Sequence, residues 1–206
     1  MQCPLCFGSE LVIPLTDYRH CLTCDLRFKD KRLHLNAAQE HERYLQHNND
    51  VNDEGYRRFL EPLYTAVREN VPIGAHGLDF GAGPGPILTK LLRADGYTMG
   101  LYDPFFWPDL ATLEQCYDFI IASEVVEHFY EPAKEFKRLI GLLKPGALLG
   151  IMTAMYHSEI EFEQWYYRRD PTHVVFYSRK TFLWIATNYA LHPPIFKSDR
   201  LILLRA

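Results

Sequence analysis

The sequence predicts an α/β fold with a doubly wound, mostly parallel sheet, preceded by a small cysteine ribbon and a helical bridge. From residue 74 onward, short apolar segments alternate with segments of helical periodicity. A glycine-rich turn follows the first apolar segment, and an aspartate ends the second. Before residue 74, two Cys-x-x-Cys pairs precede a region of helical spacing. These features define three expected units, at residues 1–30, 31–73 and 74–206.

Three glycines at alternate positions, Gly81, Gly83 and Gly85, lie between the first apolar segment and the helix-like residues 87–92. Glycine is needed where the backbone turns tightly or approaches a ligand without an intervening Cβ. A glycine turn that leads into a helix N-terminus is the nucleotide site of open α/β sheets. A plain turn between a strand and a helix needs only one such glycine, so the pattern favours a nucleotide site.

An acidic residue, Asp103, ends the second apolar segment at residues 97–102. It lies about 20 residues after the glycine turn, where a carboxylate accepts the ribose hydroxyls of a nucleotide. The alternative is a turn aspartate before Pro104. The next strand is expected at residues 117–122, so the third strand of a full sheet and its helix are reduced or missing. We therefore expect the wall against the base of the nucleotide to come from residues 104–107.

Two sequence blocks carry a resemblance to a known family. Residues 78–85, which read Leu-Asp-Phe-Gly-Ala-Gly-Pro-Gly, resemble motif I of the class I S-adenosylmethionine (SAM)-dependent methyltransferases. Residues 117–128 resemble the fourth strand of that family and the loop after it. The resemblance covers about residues 74–206 and implies a Rossmann-like sheet with an antiparallel last strand and SAM as cofactor. It implies a cofactor site made of Tyr44, Asp79, Gly81, Ala82, Gly83, Gly85, Asp103, Pro104, Ser123 and Glu124.

Two rival interpretations remain open beside a methyltransferase. The Gly-x-Gly-x-Gly spacing differs from the dinucleotide fingerprint, which disfavours a nicotinamide-dependent oxidoreductase. An inactive binding or scaffold protein with a vestigial nucleotide fold is the second rival. The presence of Asp79, the glycines and Asp103 argues against lost cofactor binding.

Two cysteine pairs, Cys3/Cys6 and Cys21/Cys24, predict a metal site in the first 30 residues. Their separation is close to that of four-cysteine zinc sites, and four thiolates leave no open position on a tetrahedral ion. A structural zinc ribbon is therefore expected. A redox dithiol would need a surrounding βαβ unit, which residues 1–30 lack. The fifth cysteine, Cys116, is expected to be buried in the core.

The helical bridge at residues 31–73 is a candidate lid. In class I methyltransferases an N-terminal helix often covers the cofactor, which implies a role for Tyr44 beside the methionine end. His47 and Asn48 would then reach the acceptor. The alternative is a solvent-exposed helix face.

Candidate catalytic residues come from two further segments. Glu124, Glu127 and His128 would share one face of a helical turn and could hold Mg²⁺ or Mn²⁺. Quinone-biosynthesis and small-RNA-end O-methyltransferases carry a similar block, and a later histidine in the second group corresponds to His173. The alternative is a pair that stabilises the loop. We take His128, His173 and Glu124 as the catalytic candidates.

An aromatic and charged insert at residues 156–177 follows the expected fifth strand. It lies at the carboxyl edge of the sheet, where open α/β folds bind ligands. His157 is a second candidate base here, and Arg168 and Arg169 are candidates to hold an anionic acceptor. The aromatic residues alternatively serve only to pack the insert.

Composition limits the class of partner. Hydrophobic residues make up 48% of the sequence and charged residues 23%, as in an ordinary globular protein. The net charge of −4 disfavours broad nucleic-acid binding and favours a small-molecule acceptor. A cysteine ribbon before a methyltransferase domain also resembles one ribosomal-RNA guanine methyltransferase family, so RNA stays open. Neither a membrane span nor a signal peptide is visible, and we expect a cytoplasmic protein.

Overall fold

Two β-sheets and five α-helices form the frame of the described part of the protein. A computed structural model describes residues 1–45 and 53–206. The strands are β1 (Leu11–Leu15), β2 (Tyr18–Cys21), β3 (Arg27–Lys29), β4 (His76–Phe80), β5 (Thr98–Tyr102), β6 (Tyr117–Ser123), β7 (Leu143–Met152), β8 (Val175–Phe176), β9 (Ile195–Phe196) and β10 (Leu201–Arg205). The helices are α1 (Ala37–Leu45), α2 (Glu54–Asn70), α3 (Ile87–Ala94), α4 (Pro132–Gly141) and α5 (Arg179–Asn188).

The larger sheet has the order β5-β4-β6-β7-β10-β9. Strands β5, β4, β6 and β7 are parallel, and β10 is antiparallel to both β7 and β9. The predicted mostly parallel sheet with an antiparallel last strand is therefore confirmed. Between β5 and β6 the chain forms a short 3₁₀ helix, Leu110–Glu114, in place of a third strand and its helix.

Helices cover both faces of this sheet. The apolar sides of α2 and α3 pack on one face, where Leu63 and Leu92 are fully buried with Phe119. Helices α4 and α5 pack on the other face, where Phe136 and Phe182 are fully buried. This arrangement places the carboxyl ends of β4, β5 and β6 at one open edge, which is where such sheets bind ligands.

The smaller sheet has the order β1-β2-β3-β8 and joins the cysteine ribbon to the rest of the chain. Its first three strands form an antiparallel meander, and its fourth comes from the insert after β7. Phe28 of β3 lies opposite Val175 of β8. Buried Cys3 and Cys24 belong to the same apolar cluster as residues of the larger sheet. The ribbon is thus continuous with the core.

Several local expectations need correction or are confirmed. Cys116 is exposed, because it lies in the connection before β6 and not within that buried strand. The Lys-Pro-Gly sequence of residues 144–146 is typical of a helix stop and predicts the end of α4 there, but these residues lie inside the start of β7, because α4 already ends at Gly141. Ser178 caps the N-terminus of α5. Its hydroxyl accepts a hydrogen bond from the Thr181 N–H, and the Thr181 hydroxyl accepts one from the Ser178 N–H. In the described part of the chain, no helix has both the length and the hydropathy of a membrane span.

Candidate functional site

A cleft of about 690 Å³ opens at the carboxyl ends of β4, β5 and β6. A second cavity in the described residues, beside Tyr97, is smaller, and the cleft lies at the edge expected for ligand binding. The candidate cofactor residues and the three catalytic candidates line it: Tyr44, Asp79, Gly81, Ala82, Gly83, Gly85, Asp103, Pro104, Ser123, Glu124, His128 and His173. The cleft thus brings together residues from five separate stretches of sequence.

The glycine turn after β4 depends on glycine for two reasons. Gly81 has φ +76° and Gly83 has φ +61°, a region that side chains disfavour. A Cβ atom on Gly81 would also lie 2.4 Å from the Val125 side chain. The Gly81 and Ala82 N–H groups both donate to the Tyr102 carbonyl, at 2.8 and 3.2 Å. The turn is therefore fixed to the end of β5.

Asp79 is buried below the turn at the end of β4. Its Oδ2 accepts a hydrogen bond from the Thr89 hydroxyl at 2.8 Å. Burial raises the pKa of Asp79 to about 6, and the nearby Asp103 carboxylate adds to the increase. A carboxylate that is short of cationic partners is suited to receive a positively charged ligand group.

Asp103 connects the glycine turn to the loop after β5. Its Oδ2 accepts from the Gly83 N–H at 3.0 Å, and its Oδ1 accepts from the Phe105 and Phe106 N–H groups at 2.9 and 3.1 Å. A carboxylate offers about four lone-pair positions, so these contacts leave one for a ligand. Asp103 therefore has room for fewer ligand hydroxyls than the two expected from the sequence.

Helix α1 lies across the cleft. The Tyr44 hydroxyl donates to the Glu40 carboxylate at 2.6 Å, and the Tyr44 ring contacts the His128 ring edge-on. His41 stacks on Phe105, with ring centroids 5.4 Å apart. These contacts place α1 over both the expected nucleotide end and the acceptor end. His47 and Asn48, also predicted to reach the acceptor, lie outside the described residues.

Two histidines present neutral ring nitrogens toward the cleft. His128 Nδ1 lies 3.1 Å from the Thr172 carbonyl, and His173 Nδ1 lies 2.6 Å from the Tyr167 carbonyl. A carbonyl only accepts, so each Nδ1 carries the proton and each Nε2 has a free lone pair. Burial lowers the pKa of both rings, to about 3 for His173, where the neighbouring His128 adds to the effect.

Glu127 is fully buried beside these histidines. Its carboxylate accepts from the Tyr167 hydroxyl at 2.5 Å and from the Thr153 hydroxyl at 3.0 Å. Ligand atoms of Glu127, His128 and His173 lie within 4.8 Å of one another. In the described part of the chain, these three side chains are therefore close enough to ligate one ion.

Glu124 departs from its expected place in that group. Its φ of +53° is not helical, and the 3₁₀ helix after β6 begins only at Val126. Both carboxylate oxygens accept from Arg200 Nη1 at 2.9 Å. The expectation that Glu124, Glu127 and His128 share one face of a helical turn is wrong, because the backbone turns Glu124 toward Arg200. Burial raises the pKa of Glu124, and the Glu127 carboxylate adds to the increase.

The insert contributes less to the cleft than its composition indicates. His157, Arg168 and Arg169 do not line it. The Arg168 guanidinium instead donates to the Glu163 carbonyl and lies over the Tyr18 ring. The insert provides only two residues that line the cleft, Asp170 and His173.

Several residues of the cleft and its surroundings are not among those predicted from the sequence. Glu40 had a usable signal, because it lies four residues before Tyr44 on α1 and so shares its face. The other missed residues had no local signal, because contacts distant in sequence bring them into place. They are Tyr130 and Asp170 in the lining, and Thr153, Tyr167 and Arg200 behind it.

The four ribbon cysteines converge as predicted. Cys3 and Cys24 have their Sγ atoms 3.5 Å apart, and those of Cys6 and Cys21 are 3.4 Å apart. Tetrahedral zinc with bonds of about 2.3 Å places its sulfurs about 3.8 Å apart, close to these separations. The residue after each pair is left-handed, with φ +59° at Phe7 and +64° at Asp25, so both turns have the same shape.

The chain matches a known protein family whose description agrees with the geometry of the cleft. A model of the family described as a methyltransferase domain matches residues 36–192, which is most of the chain. A search of curated protein sequences found no match.

Three solved structures share the fold. An O-methyltransferase family protein from Burkholderia thailandensis is 15% identical, with a TM-score of 0.55 over 81% of this chain and 62% of its own. The chain thus spans less than two thirds of that relative. The 1,6-didemethyltoxoflavin-N1-methyltransferase of the same organism, bound to 1,6-didemethyltoxoflavin and S-adenosylhomocysteine, is 13% identical, with a TM-score of 0.54 over 96% and 97%. A SAM-dependent methyltransferase from Aquifex aeolicus is 16% identical, with a TM-score of 0.54 over 81% and 97%.

Proposed function

Because this chain belongs to the methyltransferase-domain family and has the fold of SAM-dependent methyltransferases, we propose that it methylates a small-molecule acceptor. The observation that supports this most is the single cleft in which the glycine turn, Asp79 and Asp103 meet His128 and His173. The first group suits a cofactor and the second an acceptor. In this proposal residues 1–30 bind metal, residues 31–73 cover the cleft and residues 74–206 hold the cofactor.

The cofactor end would use charge and backbone together. Asp79 would receive the ammonium group of the methionine moiety, since it is buried and lacks a cationic partner among its hydrogen bonds. Asp103 would accept one ribose hydroxyl through the free lone pair of Oδ2. Phe105 and Phe106 lie beside Asp103 and would form the adenine wall.

Methyl transfer from a sulfonium is an in-line displacement, so the protein mainly aligns the acceptor and excludes water. The Nε2 atoms of His128 and His173 would accept hydrogen bonds from an N–H or O–H of the acceptor and so orient its lone pair. Helix α1, through Tyr44, would close the cleft over both ligands.

The charge of the lining favours a small acceptor over a polyanion. Carboxylates outnumber cations, because Arg138 is the one arginine or lysine among the described lining residues. A nucleic-acid backbone would be repelled by such a surface. The acidic lining residues are Glu40, Asp79, Asp103, Glu124, Glu131, Glu135 and Asp170.

A structural zinc ion would occupy the ribbon. Four thiolates at tetrahedral spacing fit zinc, and with four protein ligands the ion keeps no position for a substrate. Cysteine pairs that hold a metal and do not form disulfides are typical of a reducing compartment, so we propose that the protein is cytoplasmic.

A divalent cation at Glu127, His128 and His173 is a second candidate feature of the acceptor site. Both rings fix their Nδ1–H on a carbonyl, which is how ligating histidines are usually oriented. When bound, Mg²⁺ or Mn²⁺ would coordinate acceptor oxygens. Calorimetry with MnCl₂ tests this feature: we expect His173→Ala to abolish binding and His157→Ala, outside the cleft, to keep it. Equal binding by both variants, or no binding by the unaltered chain, removes the metal from the proposal.

Titration with S-adenosylhomocysteine is the first test of the proposed function. We expect one binding site per chain with micromolar affinity. With SAM and an amine or hydroxyl acceptor, we then expect the protein to produce S-adenosylhomocysteine. Failure to bind, in folded and zinc-replete protein, would instead support the scaffold interpretation.

A further inference from the structure

Residues 170–178, which carry His173, lie between the cysteine ribbon and the turn after β6. The Lys29 N–H donates to the Val174 carbonyl at 2.8 Å, and the Val174 N–H donates to the Glu127 carbonyl at 2.9 Å. Val174 therefore bridges the ribbon strand β3 and the turn that carries His128. The segment that carries His173 is held from both sides.

Lys29 makes a second contact with the same segment. The residue is only 8% exposed, and its ammonium group donates to the Pro171 carbonyl at 2.9 Å. Removing an ammonium group from water is unfavourable unless it finds partners. The neighbouring Asp170 carboxylate provides electrostatic compensation. A buried lysine at this position is better explained by its hydrogen bond to Pro171 and its attraction to Asp170 than by apolar packing.

The second cysteine turn is attached to the far end of the segment. Asp25, directly after Cys24, accepts from the Ser178 hydroxyl at 2.6 Å and lies 2.7 Å from His20 Nε2. Ser178 is also the cap of α5. The ribbon thus contacts residues 170–178 at both ends and in the middle.

We propose that the ribbon is a structural wall of the acceptor site, and that Lys29 is a positioning residue that holds the segment carrying His173. The contacts of the glycine turn run instead to Tyr102 and Asp103. Loosening of the ribbon should therefore disturb the acceptor side and leave the cofactor side intact. The inference rests on the proposed function only for the role of His173, since the contacts themselves are independent of any acceptor.

Hydrogen exchange of the full-length protein tests this coupling. Lys29→Met keeps the aliphatic volume and removes the contact with Pro171, and Lys31→Met is a matched control on an exposed lysine. We expect exchange across residues 171–176 to be about tenfold faster in Lys29→Met, because local opening becomes easier. We also expect unchanged affinity for S-adenosylhomocysteine, and no change of either kind in Lys31→Met. Unaltered exchange at residues 171–176 in Lys29→Met would overturn the proposal.

Metal removal from the unaltered chain provides the second arm, which does not depend on the folding of a variant. In protein kept free of Mg²⁺ and Mn²⁺ throughout, stripping the ribbon metal with a chelator should accelerate exchange both at residues 1–30 and at residues 171–176. Acceleration confined to residues 1–30 would mean that the ribbon is an independent appendage. Failure of the proposed function would appear as absent S-adenosylhomocysteine binding, with the exchange coupling between the ribbon and residues 171–176 still present. Failure of this inference would appear as absent coupling, whether or not the cofactor binds.

Discussion

The Arg43 guanidinium lies 2.8 Å from the Asp170 carboxylate, and this ion pair joins helix α1 to the segment that carries His173. Asp170 also accepts from the Thr172 N–H and hydroxyl, and the Thr172 carbonyl in turn orients His128. In the proposed role of α1 as a lid, its closure over the cleft would be linked to the position of both histidines. A lid that opens must break this pair.

The first prediction concerns that pair. Arg43→Gln should speed the release of S-adenosylhomocysteine about two- to fivefold, because a partly exposed ion pair contributes about 0.5–1 kcal/mol. Stopped-flow displacement measures the rate. Arg57→Gln on the exposed face of α2 is the control, and equal rates in both variants would exclude Arg43 from lid closure.

The second prediction separates backbone strain from steric overlap at the glycine turn. Gly81→Ala should lower stability by about 1–3 kcal/mol and abolish cofactor binding, because φ is +76° and Val125 leaves no space. Gly74→Ala has φ +88° with no atom within 4 Å of the added Cβ, so it tests strain alone. Urea unfolding of both variants gives the comparison. A larger loss at Gly74 would contradict the close approach of Val125.

The third prediction concerns Asp103. Asp103→Ala should weaken S-adenosylhomocysteine binding by at least about 1 kcal/mol, through loss of a charge-assisted hydrogen bond and of support for Gly83. Calorimetric titration measures the affinity, with exposed Asp199→Ala as the control. Unchanged affinity in the Asp103 variant would remove this residue from the site.

The fourth prediction is a pH dependence set by Asp79. Its pKa in the folded protein is raised to about 6, so it is charged above that pH and becomes neutral below it. If it binds the cofactor ammonium, affinity should be constant above about pH 6.5 and fall as the pH decreases through 6. Asp79→Asn should bind more weakly with no such fall. An equal fall in both proteins assigns the titration to another group.

The same shift has the opposite effect on the stability of the free protein. The folded state binds the Asp79 proton more tightly than the unfolded state does, whose pKa is about 3.9. The contribution of Asp79 to stability therefore increases as the pH falls from about 6 to 4. Thermal unfolding without ligand should reveal this as a difference between the unaltered chain and Asp79→Asn.

The fifth prediction concerns the ribbon metal. Elemental analysis of protein purified under reducing conditions should find one zinc per chain, and Cys24→Ser should lose it together with several degrees of Tm. Cys116→Ser is the matched control, since this thiol is exposed and outside the cluster. Full zinc content in Cys24→Ser would contradict a four-thiolate site.

Local patterns in the sequence predicted the parts of the site that depend on neighbouring residues. The glycine turn, Asp103 at the end of β5 and the two cysteine pairs each have a short-range signature. The partners of Glu124 and Glu127 have no such signature, because they lie far away in the sequence. Arg200 lies between β9 and β10, and Tyr167 lies in the insert after β7. For the same reason Glu124 was placed in the wrong group: its backbone conformation depends on contacts that spacing does not encode.

The pairing of β3 with β8 has a consequence for how the chain folds. The two strands are separated by most of the sequence, so this sheet has a high contact order. Their pairing closes a long loop, which costs conformational entropy, and we expect it to form late in folding. During synthesis the cysteine turns emerge well before β8, so the edge of β3 stays without this partner until residue 176 has left the ribosome. We expect early metal capture to be followed by a slow step in which the ribbon docks.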